Sequence, residues 1–400
     1  MCPCASISTA EVHAYAASLV ERCLKLRDFG QRCTSSVIVT VLLYAAARIV
    51  SISNACAHLS KAPSDETFRQ ALLATLPRWA ELQRRLNRAL VADLPKGLLK
   101  RPQRIAIDIH EVPYHGEPLR ERNEIRRGQS RHGTTHFHDY ATAYVVRKGY
   151  RFTLAMAWIR QSDSYTDVLQ RLLRQVRQAG VKVRLVLLDR GFFSAEVVRY
   201  LQAARTPFLM PLKAAGRRSR DPRKAPSGAR RFFAQKRSGW DRHTWRGEKG
   251  RGRRVSVQIC VCCLNDAGRK GKRGRYTLVY TYWGFRPGSI AWMRQTYRRR
   301  FGIETSYRQM ERARIRTTTR DPLRRLLFAG IALLLRNAWV WLHLMRLASR
   351  HGTVVKLHLE RLRFTDLLWN LQTFAEHFLG PDTLASPQLP PPHPLAANPT

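Results

Sequence analysis

Asp108 follows the apolar run Arg104-Ile105-Ala106-Ile107, and Asp189 follows Val183-Arg184-Leu185-Val186-Leu187-Leu188. Far downstream a lone acid, Glu304, stands inside the arginine-rich stretch Tyr297-Arg298-Arg299-Arg300-Phe301-Gly302-Ile303-Glu304-Thr305-Ser306-Tyr307-Arg308-Gln309. Two aspartates just past strand ends and one glutamate on a helix form a set of hard oxygen ligands. Such a set suits a pair of divalent cations about 4 Å apart, the arrangement that cuts phosphodiesters. The plainer readings are turn or cap residues for the aspartates and a surface salt bridge for the glutamate. At about 100° per residue, Tyr297, Arg300, Glu304, Arg308 and Glu311 share one narrow face of a single helix. Other acids compete. Glu111 falls on the strand face opposite Asp108, Asp139 opens the next strand, and Asp163 and Asp167 sit at a helix start. His110 shares the Asp108 face, as a structural histidine or a DNA contact. No Ser-His-Asp or Cys-His arrangement stands out, and no Gly-rich phosphate loop follows a strand, so nothing points to ATP.

The elements that must position these residues change in texture along the chain. Thr9 to about Leu98 reads as short helices, including the apolar run Val37–Val50, a new start at Ser51-Ile52-Ser53 and a capped start at Ser64-Asp65-Glu66-Thr67. These helices suit a helix-turn-helix DNA reader or a plain helical cap. Ile105–His110 alternates as a strand, Gly116 to Thr135 is polar, and Phe137–Val146 with Tyr150–Ile159 reads as a hairpin turning at Lys148-Gly149. An amphipathic helix over Thr166–Ala179, the strand Val183–Leu188, a helix from Gly191 to Gln202 and a short strand Pro207–Leu212 follow. Three strands, a helix, a strand and more helix is the order of a ribonuclease H-like α/β fold with a mixed sheet. Lys213 to Arg275 interrupts it as a basic insertion with strands at Val255–Cys263 and Tyr276–Tyr282, and helices close the chain. The expected division is a helical unit over 1–100, the first part of the catalytic domain over 101–212 and a basic β-rich insertion over 213–290. The last catalytic helix and closing helices take 291–346, a helical segment 347–380 and a disordered tail 381–400.

Composition narrows the partner. The chain of 400 residues carries 71 Lys+Arg against 28 Asp+Glu, a formal net charge of +43. A compact body so charged repels itself, so a polyanion is implied, and nucleic acid is the default. The charge is spread along the chain rather than gathered on one amphipathic helix, which argues against a membrane surface. The eight cysteines show no zinc-ligand spacing and read as reduced thiols. The start of the sequence reads as lacking a secretory signal, and the apolar runs Val37–Val50 and Leu326–Met345 read as buried helices rather than membrane spans. A cytoplasmic, nucleoid-associated protein is expected.

Three ordered blocks carry a resemblance. Asp108-Ile109-His110-Glu111-Val112-Pro113-Tyr114-His115-Gly116, Leu187-Leu188-Asp189-Arg190-Gly191-Phe192-Phe193 and the Tyr297 stretch resemble those of bacterial insertion-sequence transposases of the DDE superfamily. The branch resembled carries Tyr-x2-Arg-x3-Glu-x6-Lys on its last catalytic helix, and its first three positions fall on Tyr297, Arg300 and Glu304. The resemblance spans roughly Arg104 to Trp341. It implies that Asp108, Asp189 and Glu304 are the catalytic triad and bind two Mg2+ ions, with Mn2+ as a substitute. It implies that Tyr297 stacks on a displaced base and that Arg300 contacts a phosphate, with Arg298, Arg299 and Arg308 as further DNA contacts. The implied activity cuts transposon ends and joins the 3′ hydroxyl to target DNA. The implied partner is double-stranded DNA, both inverted-repeat ends and target, bound by a homodimer. The branch's lysine should fall at 311, where this chain has Glu311; Arg308 and Arg312 are the nearby cations. A nuclease of the same fold and a DNA-binding protein that no longer cuts are the alternatives.

Overall fold

The computed structural model describes residues 6–217, 226–247, 254–266, 274–351 and 354–381. The chain opens with α1 (Thr9–Leu24), α2 (Ser35–Arg48), α3 (Ile52–His58), α4 (Asp65–Thr75), α5 (Trp79–Val91) and the single turn α6 (Lys96–Leu99). Then come β1 (Gln103–Tyr114), β2 (Arg126–Arg131), β3 (Thr134–Val145), β4 (Thr153–Ile159), α7 (Tyr165–Gln178), β5 (Val183–Leu188), α8 (Ala195–Ala203) and β6 (Phe208–Pro211). The insertion contributes α9 (Arg230–Phe233), β7 (Gly239–Trp245), β8 (Val255–Asp266) and β9 (Gly274–Trp283). The chain closes with α10 (Ile290–Arg298), α11 (Gly302–Glu311), α12 (Pro322–Leu342), the small hairpin β10 (Ser349–His351) and β11 (Val354–Lys356), and α13 (Phe364–Leu379). Of the expected tail only Pro381 is described, in an isolated bridge with Leu59; 382–400 lie outside the described residues, as do 218–225, 248–253 and 267–273 of the basic insertion.

One sheet organises everything, in the order β2-β3-β1-β5-β6-β9-β8-β7, with β4 also paired to β3. β1, β5 and β6 are parallel and their other neighbours antiparallel, so β4-β3-β1-β5-β6 forms a ribonuclease H-like mixed sheet. The insertion extends that sheet through β9 rather than standing apart, because β6 pairs with β9 from Phe208↔Trp283 to Pro211↔Tyr280. Strand alternation divides the core in two. Ala106, Leu187 and Leu209 face the N-terminal helices and α12, whereas Ile105, Ile107, Val186 and Leu188 face α7 and α8. α12 is apolar nearly all round because it is buried nearly all round. It is the single described helix long and apolar enough to cross a membrane, yet most of it lies inside the protein. Its Gly330 allows α5 to come close, since a Cβ there would meet Leu86 Cδ2 at 2.4 Å.

Two expectations are corrected. β2, within the polar stretch, is a strand, and it pairs with β3 at only a few rungs, Arg126↔Phe137, Arg127↔His136 and Arg131↔Thr134. The helix expected from Gly191 begins at Ala195, after a 3-10 turn over Arg190–Phe192.

β4 is a lateral strand whose outward backbone groups are not left to water. Asn87 on α5 accepts from Met156 N at 2.8 Å and donates to Met156 O at 3.1 Å. Gln83 accepts from Trp158 N at 2.8 Å. Asn337 on α12 accepts from Thr153 N at 2.9 Å and donates to Thr153 O at 2.8 Å. Side-chain amides thus stand where the next strand's peptides would stand.

Candidate active site

The site begins at a rung. β1 pairs with β5 only from Gln103 to Ile107, and Ile107↔Leu188 is the last pair. Asp108 and Asp189 are the next residues on each strand, so both emerge where the parallel pairing stops. Asp108 was expected at a strand end and is not at one, because β3 carries β1 on to Tyr114↔His136. What ends at Asp108 is the cover from β5, which opens a crevice beyond the carboxyl ends of the parallel strands. Asp189 caps the 3-10 turn, accepting from Gly191 N at 3.4 Å, and Asp108 Oδ1 accepts from Ile109 N at 3.0 Å.

The third acid arrives on α11. The expected single helix is broken: α10 ends at Arg298, a 3-10 turn covers Arg299–Phe301, and α11 starts at Gly302. The tighter turn changes the angular step, so the face predicted from a steady 100° is not kept. Arg300 turns inward and is only 4% exposed. α11 is pinned to β1 by Tyr307, whose hydroxyl donates to the Asp108 carbonyl at 2.9 Å and lies 2.8 Å from Thr142 Oγ1. Tyr307 belongs to no motif that singles it out in the sequence. The signal available was its place three residues beyond Glu304, on the apolar side of the same helix.

Arg300 binds all three acids. Its Nη1 donates to Asp108 Oδ2 at 2.9 Å, and its Nη2 donates to Asp189 Oδ1 at 3.3 Å and to Glu304 Oε1 at 3.4 Å. Burial alone would loosen the guanidinium proton, but Tyr297, Asp108 and Asp189 outweigh it and raise Arg300 further. Asp108 moves the other way relative to its charge. Burial lifts its carboxyl above the usual range and Asp189 adds to the lift, against the pull of Arg300 and the Ile109 N–H. One guanidinium is thus shared among three carboxylates, two more than it can pair one to one. Among the described residues, no three His, Cys, Asp or Glu side chains stand close enough to hold a metal ion as they are. The acids close on Arg300 rather than on one another. Even so, the donor set fits a divalent cation, because it is all oxygen and already encloses a positive group.

Beside this cluster, lined by its Asp189 and Arg300, runs a cleft of about 1090 Å³ between the Asp189 turn, β9 and α10. Arg190, Lys213, Arg294 and Arg298 line it, with the exposed rings of Tyr276 and Phe301. Of the residues expected to touch DNA, Arg298, Arg299 and Arg308 are exposed. Tyr297 is buried, its ring 5.2 Å from Tyr280 and 5.6 Å from the Arg300 guanidinium carbon. Tyr297 and Arg300 are therefore enclosed in this state rather than presented. Glu311, where a lysine was expected, accepts from His110 Nε2 at 2.7 Å and pairs with Arg314 at 3.1 Å. The competing acids have partners elsewhere: Glu111 pairs with Arg131, Asp139 with Arg126 and Asp163 with Arg171, while Asp167 closes a capping box with Ser164.

A family model described as a transposase DDE domain matches residues 99–338. None of the curated proteins matches the chain. Among solved structures, a chain from the cryo-EM structure of a piggyBac transposase synaptic complex with hairpin DNA aligns with a TM-score of 0.53 and 11% identity. That alignment covers 96% of this chain and 84% of the other, and at such identity it shows a shared fold.

Proposed function

Since the chain belongs to the transposase DDE-domain family, we propose that it cuts the ends of a mobile DNA element and joins the freed 3′ hydroxyl to target DNA, with Asp108, Asp189 and Glu304 as its catalytic carboxylates. The observation that carries this reading is the meeting of three carboxylates on one guanidinium, where the parallel pairing of β1 and β5 stops. Those three residues would hold two divalent cations, Mg2+ or Mn2+ in its place. When bound, such ions supply the charge that activates the attacking oxygen and stabilises the leaving one.

The protein's own side chains do the rest. Arg190, Lys213, Arg294 and Arg298 draw the phosphate backbone into the cleft. Tyr276 and Phe301 offer exposed rings on which a displaced base can stack. Arg300 has two partners open to it: the carboxylates, and a phosphate that it could grip with both Nη groups once turned toward the cleft. The Tyr297, Arg300 and Glu304 spacing supports placement in the insertion-sequence branch, with Glu311 committed to His110 and Arg314 instead of offering a cation. We expect the protein to work as a homodimer on paired inverted-repeat ends, among the DNA of the cytoplasm.

Cleavage of purified end DNA with Mg2+ tests this. Glu304→Gln keeps the side-chain size and removes one charge. DNA binding should persist or tighten while cutting falls by orders of magnitude, because metal-assisted charge stabilisation is worth several kcal/mol. Were Glu304 only an ion-pair partner of Arg300, the change would cost roughly 0–1 kcal/mol of stability and leave cutting intact. Normal cutting by Glu304→Gln removes the reading.

A further inference from the structure

A second cleft, of about 870 Å³, opens at the far end of β1, where Tyr114 and His115 meet the extended segment between α11 and α12. Four arginines line it, Arg314, Arg316, Arg320 and Arg325, and no Asp or Glu does among the described residues. Gathering four guanidiniums around one cavity costs free energy unless something negative is held between them.

Their anchoring shows how the positive charge is kept available. Arg320 donates to the backbone carbonyls of Pro118 at 2.9 Å and Glu117 at 3.3 Å. Arg325 donates to Thr319 O at 2.7 Å and lies with its guanidinium carbon 4.6 Å from the Tyr114 ring centre. Neutral carbonyls and a ring orient these two groups without cancelling their charge. Burial, with Arg314 adding, lowers the pKa of Arg325, so its charge is one that an incoming anion would relieve. Arg314 alone is tied to a carboxylate, that of Glu311.

Position identifies the anion. Asp108, His110, Val112 and Tyr114 share one face of β1, and α11 lies along it. From the Asp108 backbone the contacts run through Tyr307 to His110, and on through Glu311 to Arg314 and so into the cleft. Tyr114 is six residues beyond Asp108, about 20 Å at 3.3 Å per strand residue. On duplex DNA that span is about six base pairs.

We infer that this cleft is a phosphate-backbone site of the DNA substrate, engaging the duplex about six base pairs from the bond cut at Asp108, Asp189 and Glu304. The inference rests on the proposed function and adds to it a second, fixed point of contact. Such a point sets the direction in which the duplex leaves the crevice. Its contacts are to backbone, so they position DNA without reading sequence.

The test uses the whole chain and duplexes made from the DNA on either side of its gene, with single neutral methylphosphonate linkages stepped outward from the cut. Neutral linkages about six base pairs away should weaken binding roughly fivefold or more, as expected for a lost charge-assisted hydrogen bond. An Arg316→Gln, Arg320→Gln double variant should lose a similar factor and become indifferent to those linkages, while keeping its response to linkages beside the cut. Lysine at both positions should restore part of the affinity, and an unchanged melting temperature confirms that the glutamine variant is folded. A double variant that keeps the wild-type linkage profile overturns this inference and leaves the proposed function standing. A wild-type protein that neither binds nor cuts the duplex overturns both.

Discussion

Arg300 is the residue on which the site turns, because its guanidinium donates to Asp108, Asp189 and Glu304 together. Removing it should have two opposite effects. Without divalent ions, Arg300→Ala leaves Asp108 partly buried beside Asp189 with no counterion, and we expect a loss of about 3–5 kcal/mol, the usual cost of breaking a buried pair. With the competing charge gone, Mn2+ should bind more tightly by on the order of tenfold, about 1.4 kcal/mol. Mn2+ titration followed by electron paramagnetic resonance, and the rise in melting temperature on adding Mn2+, report this without any DNA present. Equal Mn2+ affinity in both proteins would mean that Arg300 and the cation do not compete. The three acids were legible from the apolar runs before Asp108 and Asp189 and from the isolation of Glu304 among arginines. The inward turn of Arg300 was not, since periodicity assumes a constant step and the 3-10 turn over Arg299–Phe301 breaks it. Nor was the pairing of Glu311 with His110, which joins residues 201 positions apart.

Among the elements, β4 depends on its amide cover. Asn87→Ala would leave the Met156 N–H and C=O without partners in a buried place, and each such group costs about 1–3 kcal/mol. Chemical denaturation of Asn87→Ala should show a loss in that range or above it; a loss under 0.5 kcal/mol, the size of an ordinary surface change, would mean that water replaces the amide. The β2–β3 hairpin carries a different liability. Burial raises the Asp139 carboxyl from 3.8 to about 7, with Arg126 opposing and Glu111 adding to the rise. An acid whose folded pKa is raised contributes fully to stability below its unfolded value and loses that contribution as pH climbs through the folded one. Melting temperature should therefore decline between pH about 4 and about 7 on this residue's account, and Asp139→Asn should flatten the decline. A variant with the wild-type slope would show that Arg126 keeps Asp139 ionised throughout. β3 and β4 were readable from their apolar texture. β2 was not, because Arg126-Arg127-Gly128-Gln129-Ser130-Arg131 has no apolar alternation and becomes a strand only through β3.

For the whole molecule, the +43 charge acts oppositely on folding and on binding. Added salt screens self-repulsion, so the free protein's melting temperature should rise with ionic strength. The same salt should weaken DNA binding steeply, with log affinity falling linearly against log salt by about 0.9 per phosphate neutralised. Replacing Arg294 and Arg298 by glutamine should shallow that slope by about two, and an unchanged slope would remove them from the interface. Composition made a polyanionic partner legible. It could not show where the charge converges, since the cleft at Asp189 and the one beyond Tyr114 are each assembled from segments distant in sequence. The amides along β4 have a consequence at this scale as well. They close that side to any further strand, and β2 beside it presents arginines. At the opposite end β7 pairs with β8 and, among the described residues, with no other strand. Among the described residues, the β7 edge is thus the one left to a further strand without amide cover, so pairing between copies would begin at the insertion, at the far end of the sheet from β4.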